Sequence, residues 1–348
     1  MNIDFLDAGC ADAIHIYFTG NDNKPHNILI DGGSEKGDKY EKGLRKRIDE
    51  IVNTKKEIID LWIITHIDDD HIGGILRLLK DTELLEKVDL SHSTFWFNYS
   101  IWDYDSGFRK NNLKNVQQGI TLRNYLIENS NIVDKITDNN GVIDLWGATA
   151  TILSPDSKSY NELLKVWETE EIKIRKAEVS SRKKTRKNDY GTKIDDFDIT
   201  KEVKDPSEEN GSSIAFILKY NNEAILLSAD SHPWVLASSI SSITAGKKLK
   251  LKYMQIPHHG SRYNTSNALL DLIDCEEYIV SADGFNRSNL PNKETFVKVL
   301  KANPDKAIKF YITQENELTS NIFKEDKDFP INLNFPKKGN NYLHFTLE

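Results

Sequence analysis

The chain has 348 residues, a net charge of −8, 38% hydrophobic and 29% charged residues. That balance suits a globular protein with a sizeable buried core, and the acidity argues against a chain that coats nucleic acid, because phosphate binding draws on clustered Lys and Arg. Two cysteines, Cys10 and Cys275, are too few for a disulfide scaffold and stand in no metal-type spacing, which fits a reducing compartment. With no basic-then-apolar N-terminus and no apolar run of membrane-spanning length, a cytoplasmic protein is expected.

Strands are predicted over residues 3–6, 13–18 and 27–30, the third closed by the turn Asp31-Gly32-Gly33. A charged helix follows over 40–52. Residues 58–65 form a nearly continuous apolar run of strand length, as in a strand buried on both faces. Beyond it, Ile72, Ile75, Leu76 and Leu79 fall at helical spacing and mark one apolar face. Residues 95–104 are dense in aromatics (Phe95, Trp96, Phe97, Tyr99, Trp102, Tyr104). Core packing is the favoured reading, with the lip of a pocket as the other.

Another strand is predicted over 148–153. From about 156 to 209 the chain becomes highly charged, carrying the basic run Arg182-Lys183-Lys184-Thr185-Arg186-Lys187 and then an acidic stretch. This reads as an insertion within a single domain of 1–348, helical near 160–176 and flexible afterwards, and as a place for a lid or a protein partner. Strands resume over 213–218, 224–228, 251–256, 278–281 and 308–312, with a helix over 293–300. Two runs of strands trailed by helices point to two packed sheets with helices outside.

The chemistry centres on Thr65-His66-Ile67-Asp68-Asp69-Asp70-His71-Ile72-Gly73-Gly74, a strand-to-helix loop. Neutral imidazole and ionised carboxylate are the ligands that zinc, manganese and iron accept. So many charges beside an apolar strand need compensation, which a divalent cation provides. Gly73 and Gly74 would let the helix pack close beneath the loop. A solvated acidic loop is the bland alternative.

Two later strands also end in candidate ligands. Leu226-Leu227-Ser228-Ala229-Asp230 ends in a carboxylate, and Ile256-Pro257-His258-His259-Gly260-Ser261 in a histidine pair, of which one is expected to point away. His232 lies two residues beyond Asp230 and is a weaker candidate.

The loop resembles the His-x-His-x-Asp-His signature of the metallo-β-lactamase superfamily, with Asp68 replacing the second histidine. The form His-x-Asp-x-Asp-His-x-Gly-Gly is similar to the metallohydrolase domain of ComEC-type competence proteins and its stand-alone relatives. Phe5-Leu6-Asp7-Ala8-Gly9-Cys10-Ala11-Asp12-Ala13 resembles their "FLDVGQGDA" opening, departing at Cys10 and Ala11. Ile28-Leu29-Ile30-Asp31-Gly32-Gly33 resembles "LIDGG", and Gln118-Gly119-Ile120-Thr121-Leu122 a run in stand-alone members. Asn210-Gly211-Ser212-Ser213-Ile214 resembles "NxxSl", Leu227-Ser228-Ala229-Asp230 resembles "LTGD", and Pro257-His258-His259-Gly260-Ser261 matches "PHHGS".

The resemblance implies an α+β four-layer αββα sandwich, the metallo-β-lactamase fold, and a two-ion centre filled with zinc or manganese. Carried over, His66 and Asp68 hold one ion. Asp70 and His71 hold the second with one histidine of the His258-His259 pair, preferably His259, and Asp230 bridges. Asp31, Asp7 and Gly73 support the centre. The third histidine usual for the first site is missing near 210–213, which leaves that site rich in oxygen, and the family's "GHP" stands here as Asn289-Leu290-Pro291.

The expected activity is metal-assisted hydrolysis with Asp68, Asp70 and Asp230 orienting the attacking water, since no protein nucleophile is evident. The resemblance favours a phosphodiesterase or nuclease acting on nucleic acid or a small phosphodiester. The alternatives are a small ester or lactone as substrate, or a catalytically weak metal-binding or regulatory module. No membrane partner is expected.

Overall fold

The computed structural model describes residues 1–100, 114–176, 188–286, 288–329 and 331–348. Trp102, Tyr104 and the basic run 182–187 lie outside them. Among the described residues, no helix is long and apolar enough to cross a membrane.

Two sheets face each other. The first runs, in spatial order, through the strands Tyr342–Thr346, Asn2–Leu6, Ile14–Thr19, Pro25–Ile30, Leu61–Ile64, Thr94–Phe97 and Asn131–Val133. It is antiparallel up to Pro25–Ile30 and parallel beyond. The second runs through Asn332–Asn334, Lys309–Ile312, Glu277–Val280, Tyr253–Gln255, Glu223–Leu227, Ala215–Tyr220, Ala148–Ser154 and Val142–Leu145. There the strands are parallel as far as Glu223–Leu227 and antiparallel afterwards.

Side-chain alternation along these strands divides the core. Leu61 and Ile63 point between the sheets, where they meet Phe216, Leu218 and Ile225. Trp62 and Ile64 point outward beneath the helices carrying Leu44, Ile48, Ile72 and Leu122. On the other side Leu226, Met254 and Tyr278 face Leu236, Ile240 and Phe296. Each such side chain contributes roughly 1.5–3 kcal/mol on burial. The result is the αββα arrangement expected of the metallo-β-lactamase fold. Phe95, Trp96 and Phe97 are buried in these layers and are core, while Tyr99 is partly buried against them.

The charged stretch departs from expectation. Its first part is the helix Ser157–Lys176, but residues 188–209 are fastened to the body rather than loose. Asp189 accepts from the Lys293 and Glu294 backbone N–H groups at 2.8 and 3.1 Å, satisfying the start of the helix Lys293–Ala302. Lys293 is fully buried; its ammonium pairs with Asp326 and donates to the Tyr190 carbonyl at 3.4 Å. The Tyr190 hydroxyl donates to the Pro291 carbonyl at 3.0 Å. A charged stretch resembles a solvated one in sequence, yet these charges are paired and partly buried.

Candidate metal centre

Where the parallel strands end, their carboxyl ends gather at one edge of the sandwich, the usual place for a site in such sheets. Leu61–Ile64 leads into His66, Asp68, Asp70 and His71; Glu223–Leu227 leads into Asp230; Tyr253–Gln255 leads into His258 and His259. The Ile214 N–H donates to the Thr65 carbonyl at 3.0 Å, joining the sheets at this point. Gly73 and Gly74 permit the close packing expected of them. A Cβ on Gly74 would lie 1.9 Å from the Gly32 carbonyl oxygen, and one on Gly73 would lie 2.8 Å from the Glu35 nitrogen.

Four imidazoles converge, each with Nδ1 engaged outward and Nε2 turned inward. His71 Nδ1–H donates to Asp31 Oδ2 at 2.7 Å, and His259 Nδ1–H to the Ser281 carbonyl at 3.0 Å. The Thr65 hydroxyl donates to Asp31 Oδ2 at 2.6 Å, so its oxygen is left to accept from His66 Nδ1–H at 3.1 Å. Ser213 Oγ stands 3.2 Å from the same Nδ1. His258 Nδ1–H donates to Asn264 Oδ1 at 2.9 Å. Pinning one ring nitrogen as donor leaves the other as a lone pair, as metal-binding histidines require.

Asp230 stands at the centre, 1% exposed. Its Oδ2 lies 3.8 Å from His66 Nε2 and 3.6 Å from His258 Nε2. Its Oδ1 lies 3.4 Å from His71 Nε2 and 3.6 Å from His259 Nε2. One carboxylate therefore faces two separate histidine pairs. Asp68 closes the first pair, its Oδ2 3.9 Å from His66 Nε2, and Asp70 the second, its Oδ2 3.4 Å from His259 Nε2. Asp68 and Asp70 are partly exposed while the imidazoles of His66, His71 and His259 are buried, so the two carboxylates mark the solvent side.

The electrostatics are unbalanced. Burial opposes ionisation of Asp230, yet His258, His259 and His71 hold its carboxyl well below the usual range. Burial and neighbouring Asp70 push Asp68 up to about 8. Burial also disfavours charged histidine, but Asp230 and Asp31 raise His71 well above its ordinary value, and Asp230 with Asp205 raises His258 to about 9. Burial, aided by His71, drives His66 down to about 3. The carboxylates thus draw positive charge into a space where burial disfavours it. Within that space His66 Nε2 and Asp230 Oδ1 have no hydrogen-bond partner among the described residues.

That donor set fits divalent ions. Tetrahedral zinc with arms of about 2.0–2.1 Å separates its ligand atoms by roughly 3.3–3.4 Å. The donor atoms of Asp70, His71, His259 and Asp230 lie 3.3–3.6 Å apart where they face one another. On the other side the spacing is wider: His66 Nε2 lies 3.9 Å from Asp68 and 3.8 Å from Asp230, and His258 Nε2 lies 3.6 Å from Asp230.

Both histidines of the pair face Asp230, so the expectation that one points away fails. His258 and His259 both adopt left-handed backbone, with φ of 49° and 51°, which breaks the alternation of an extended chain. His258 thereby occupies the side left short of nitrogen by the missing histidine near 210–213. Asp31 sits behind His71 as a supporting residue. Asp7 does not join the cluster; its Oδ1 accepts from Lys39 Nζ at 2.8 Å. His232 lies tilted against Trp234, centroids 4.3 Å apart, and packs against Gly211.

Two buried carboxylates escaped notice in the sequence. Asp12 accepts from Gln255 Nε2 at 2.9 Å through Oδ2, its Oδ1 has no hydrogen-bond partner among the described residues, and the residue belongs to a potential ligand group with Asp230 and His259. Its place in the "FLDVGQGDA"-like opening was the available signal. Asp205, behind His258, carried none, because it lies in the charged stretch. The Cys10 thiol is pushed well above its ordinary value by burial and by Asp70.

No family model matches the sequence, and no curated protein matches it. Among solved structures the chain is similar to a diphosphatase from the PhnP family, at 13% identity over 97% of this chain and 85% of that one, with a TM-score of 0.41. It is similar to CmlA, a diiron β-hydroxylase from Streptomyces venezuelae, at 11% identity over 99% of this chain and 54% of that one, with a TM-score of 0.40. It is also similar to a long-form RNase Z from yeast, at 8% identity over 90% of this chain and 36% of that one, with a TM-score of 0.37. The chain thus spans about half of the hydroxylase and about a third of the RNase Z. Likeness this distant leaves function to the site itself.

Proposed function

We propose that the chain is a metal-dependent phosphodiester hydrolase with a two-ion centre. The observation that carries this is Asp230, whose two oxygens face two imidazole pairs with their Nε2 lone pairs turned inward. In this reading His66, Asp68, His258 and Asp230 Oδ2 hold one ion. Asp70, His71, His259 and Asp230 Oδ1 hold the other. Zinc and manganese both suit imidazole and carboxylate donors. Ions so held would supply Lewis acidity, acidifying a water and polarising the scissile phosphoryl group.

The protein's own part is orientation. Asp31, the Ser281 carbonyl, Thr65 and Asn264 fix the four rings, so the donor atoms need little rearrangement on binding. Asp68 and Asp70, on the solvent side, would orient the incoming water. The phosphodiester substrate follows the ComEC-type resemblance of the loop and of "PHHGS". An acidic chain favours a substrate recognised at the scissile group over one gripped along a long backbone.

Metal analysis of the purified protein, paired with hydrolysis assays on bis-p-nitrophenyl phosphate, cyclic dinucleotides, RNA and DNA with zinc or manganese, tests this. Two bound equivalents and metal-dependent cleavage abolished by Asp230→Ala are expected. A protein that binds neither ion, or cleaves none of these phosphodiesters, refutes it.

A further inference from the structure

The ring of His258 is held differently from the other three. Asp205 is 8% exposed and lies within the charged stretch, yet it forms the hub of a buried amide network. Its Oδ2 accepts from Asn210 Nδ2 at 2.7 Å and from Asn264 Nδ2 at 2.9 Å. Asn264 Nδ2 also donates to the Asp230 carbonyl at 3.1 Å. Two acceptors on one side of the amide identify that side as nitrogen, which settles an assignment that shape alone leaves ambiguous. Asn264 Oδ1 must then face His258 Nδ1, 2.9 Å away, and an oxygen there accepts the Nδ1 proton. Asp205 Oδ2 itself stands 3.4 Å from the same nitrogen.

We propose that Asp205 is a positioning residue for the metal centre: through Asn264 it fixes the His258 tautomer that leaves Nε2 free to bind the ion shared with His66. Carboxylates that orient ligand histidines tune metal affinity in this way. The anchorage of this stretch fits the role, since Asp189 caps the helix Lys293–Ala302 and buried Lys293 binds the Tyr190 carbonyl. This charged stretch thus helps to complete the centre. The inference rests on the two-ion reading above.

The test is zinc binding by the full chain, measured as two separate equivalents, with cobalt absorption as a second readout. Asp205→Ala removes the one oxygen that accepts from both Asn210 and Asn264, so only the Asp230 carbonyl remains to hold the Asn264 amide with its oxygen toward His258 Nδ1. It is expected to weaken one zinc equivalent about 10–100-fold, leave the other within about threefold, and alter the cobalt spectrum of the weakened site only. Asn264→Ala, which removes the acceptor for Nδ1–H, should weaken the same equivalent. Unchanged binding in both variants overturns the proposal. So does equal weakening of both equivalents, which marks a general structural role. Wild-type protein that binds no zinc overturns the two-ion reading itself, a result distinct from either.

Discussion

Replacing Asp31 with alanine tests the support of the centre at its most buried point. Asp31 is 1% exposed and accepts from the Thr65 N–H at 2.8 Å, the Thr65 hydroxyl at 2.6 Å and His71 Nδ1–H at 2.7 Å. The hydroxyl can turn elsewhere, but the backbone N–H and the ring N–H cannot, and each buried donor without an acceptor costs about 1–3 kcal/mol. Two such donors sum to about 2–6 kcal/mol, and the relief of no longer burying a carboxylate brings the expected loss to roughly 2–4 kcal/mol. Urea unfolding of the metal-free protein reads this directly. Asp31→Asn, which keeps one acceptor oxygen, should lose about half as much. Zinc affinity should fall at least tenfold in Asp31→Ala, because His71 loses the group that fixes its tautomer. Unfolding free energies for wild type and Asp31→Ala within 1 kcal/mol of each other would refute the reasoning.

Other consequences are open to measurement. Burial and the Arg47 guanidinium hold His15 down to about 3, against about 6.5 in an unfolded chain. The unfolded state therefore binds the extra proton between those values, and the stability from neutral His15, complete above pH 6.5, is lost as pH falls, by about 1.4 kcal/mol per pH unit. His15→Gln should show a shallower decline in unfolding free energy from pH 6.5 to 4, and equal slopes would count against it. Lys293→Met strands Asp326 without its cation and should cost about 3–5 kcal/mol, with faster proteolysis within 188–205; a cleavage rate equal to that of wild type would deny the clamp. Trp167, fully buried against Phe97 and Gly119, should cost about 3–5 kcal/mol as alanine, read by thermal melting. Chelation should lower the melting temperature, since an ion at a thousand times its Kd stabilises by about 4 kcal/mol, and zinc should restore it.

Much of the sandwich could be read from apolar runs. Leu61–Ile64 and Glu223–Leu227 announced themselves because burial on both faces leaves no polar residue to interrupt them. Tyr342–Thr346, Asn131–Val133 and Val142–Leu145 did not. They are sheet-edge strands, short and partly exposed, and only pairing with a distant partner makes them strands. The helix Pro233–Thr244 was hidden by its serines, which a helix accepts on an outer face. At the centre, ligand types were legible as residue types at strand ends. The direction of His258 was not, because it depends on the left-handed turn rather than on composition. Asp205 was illegible for a different reason: a lone carboxylate among charges declares nothing until two amides and an imidazole surround it.

Asp31, Ala229, His258 and His259 hold φ values of 54°, 44°, 49° and 51°, a region costing residues with a Cβ about 1 kcal/mol or more apiece. The loops that gather the ligands are therefore tensed, whereas the sheets beneath them are relaxed. Remove whatever ions bind there and the hydrogen-exchange map should show these loops opening first, long before the strands that carry them. The edge of the sandwich that gathers the candidate ligands is also the seam along which it should begin to come apart.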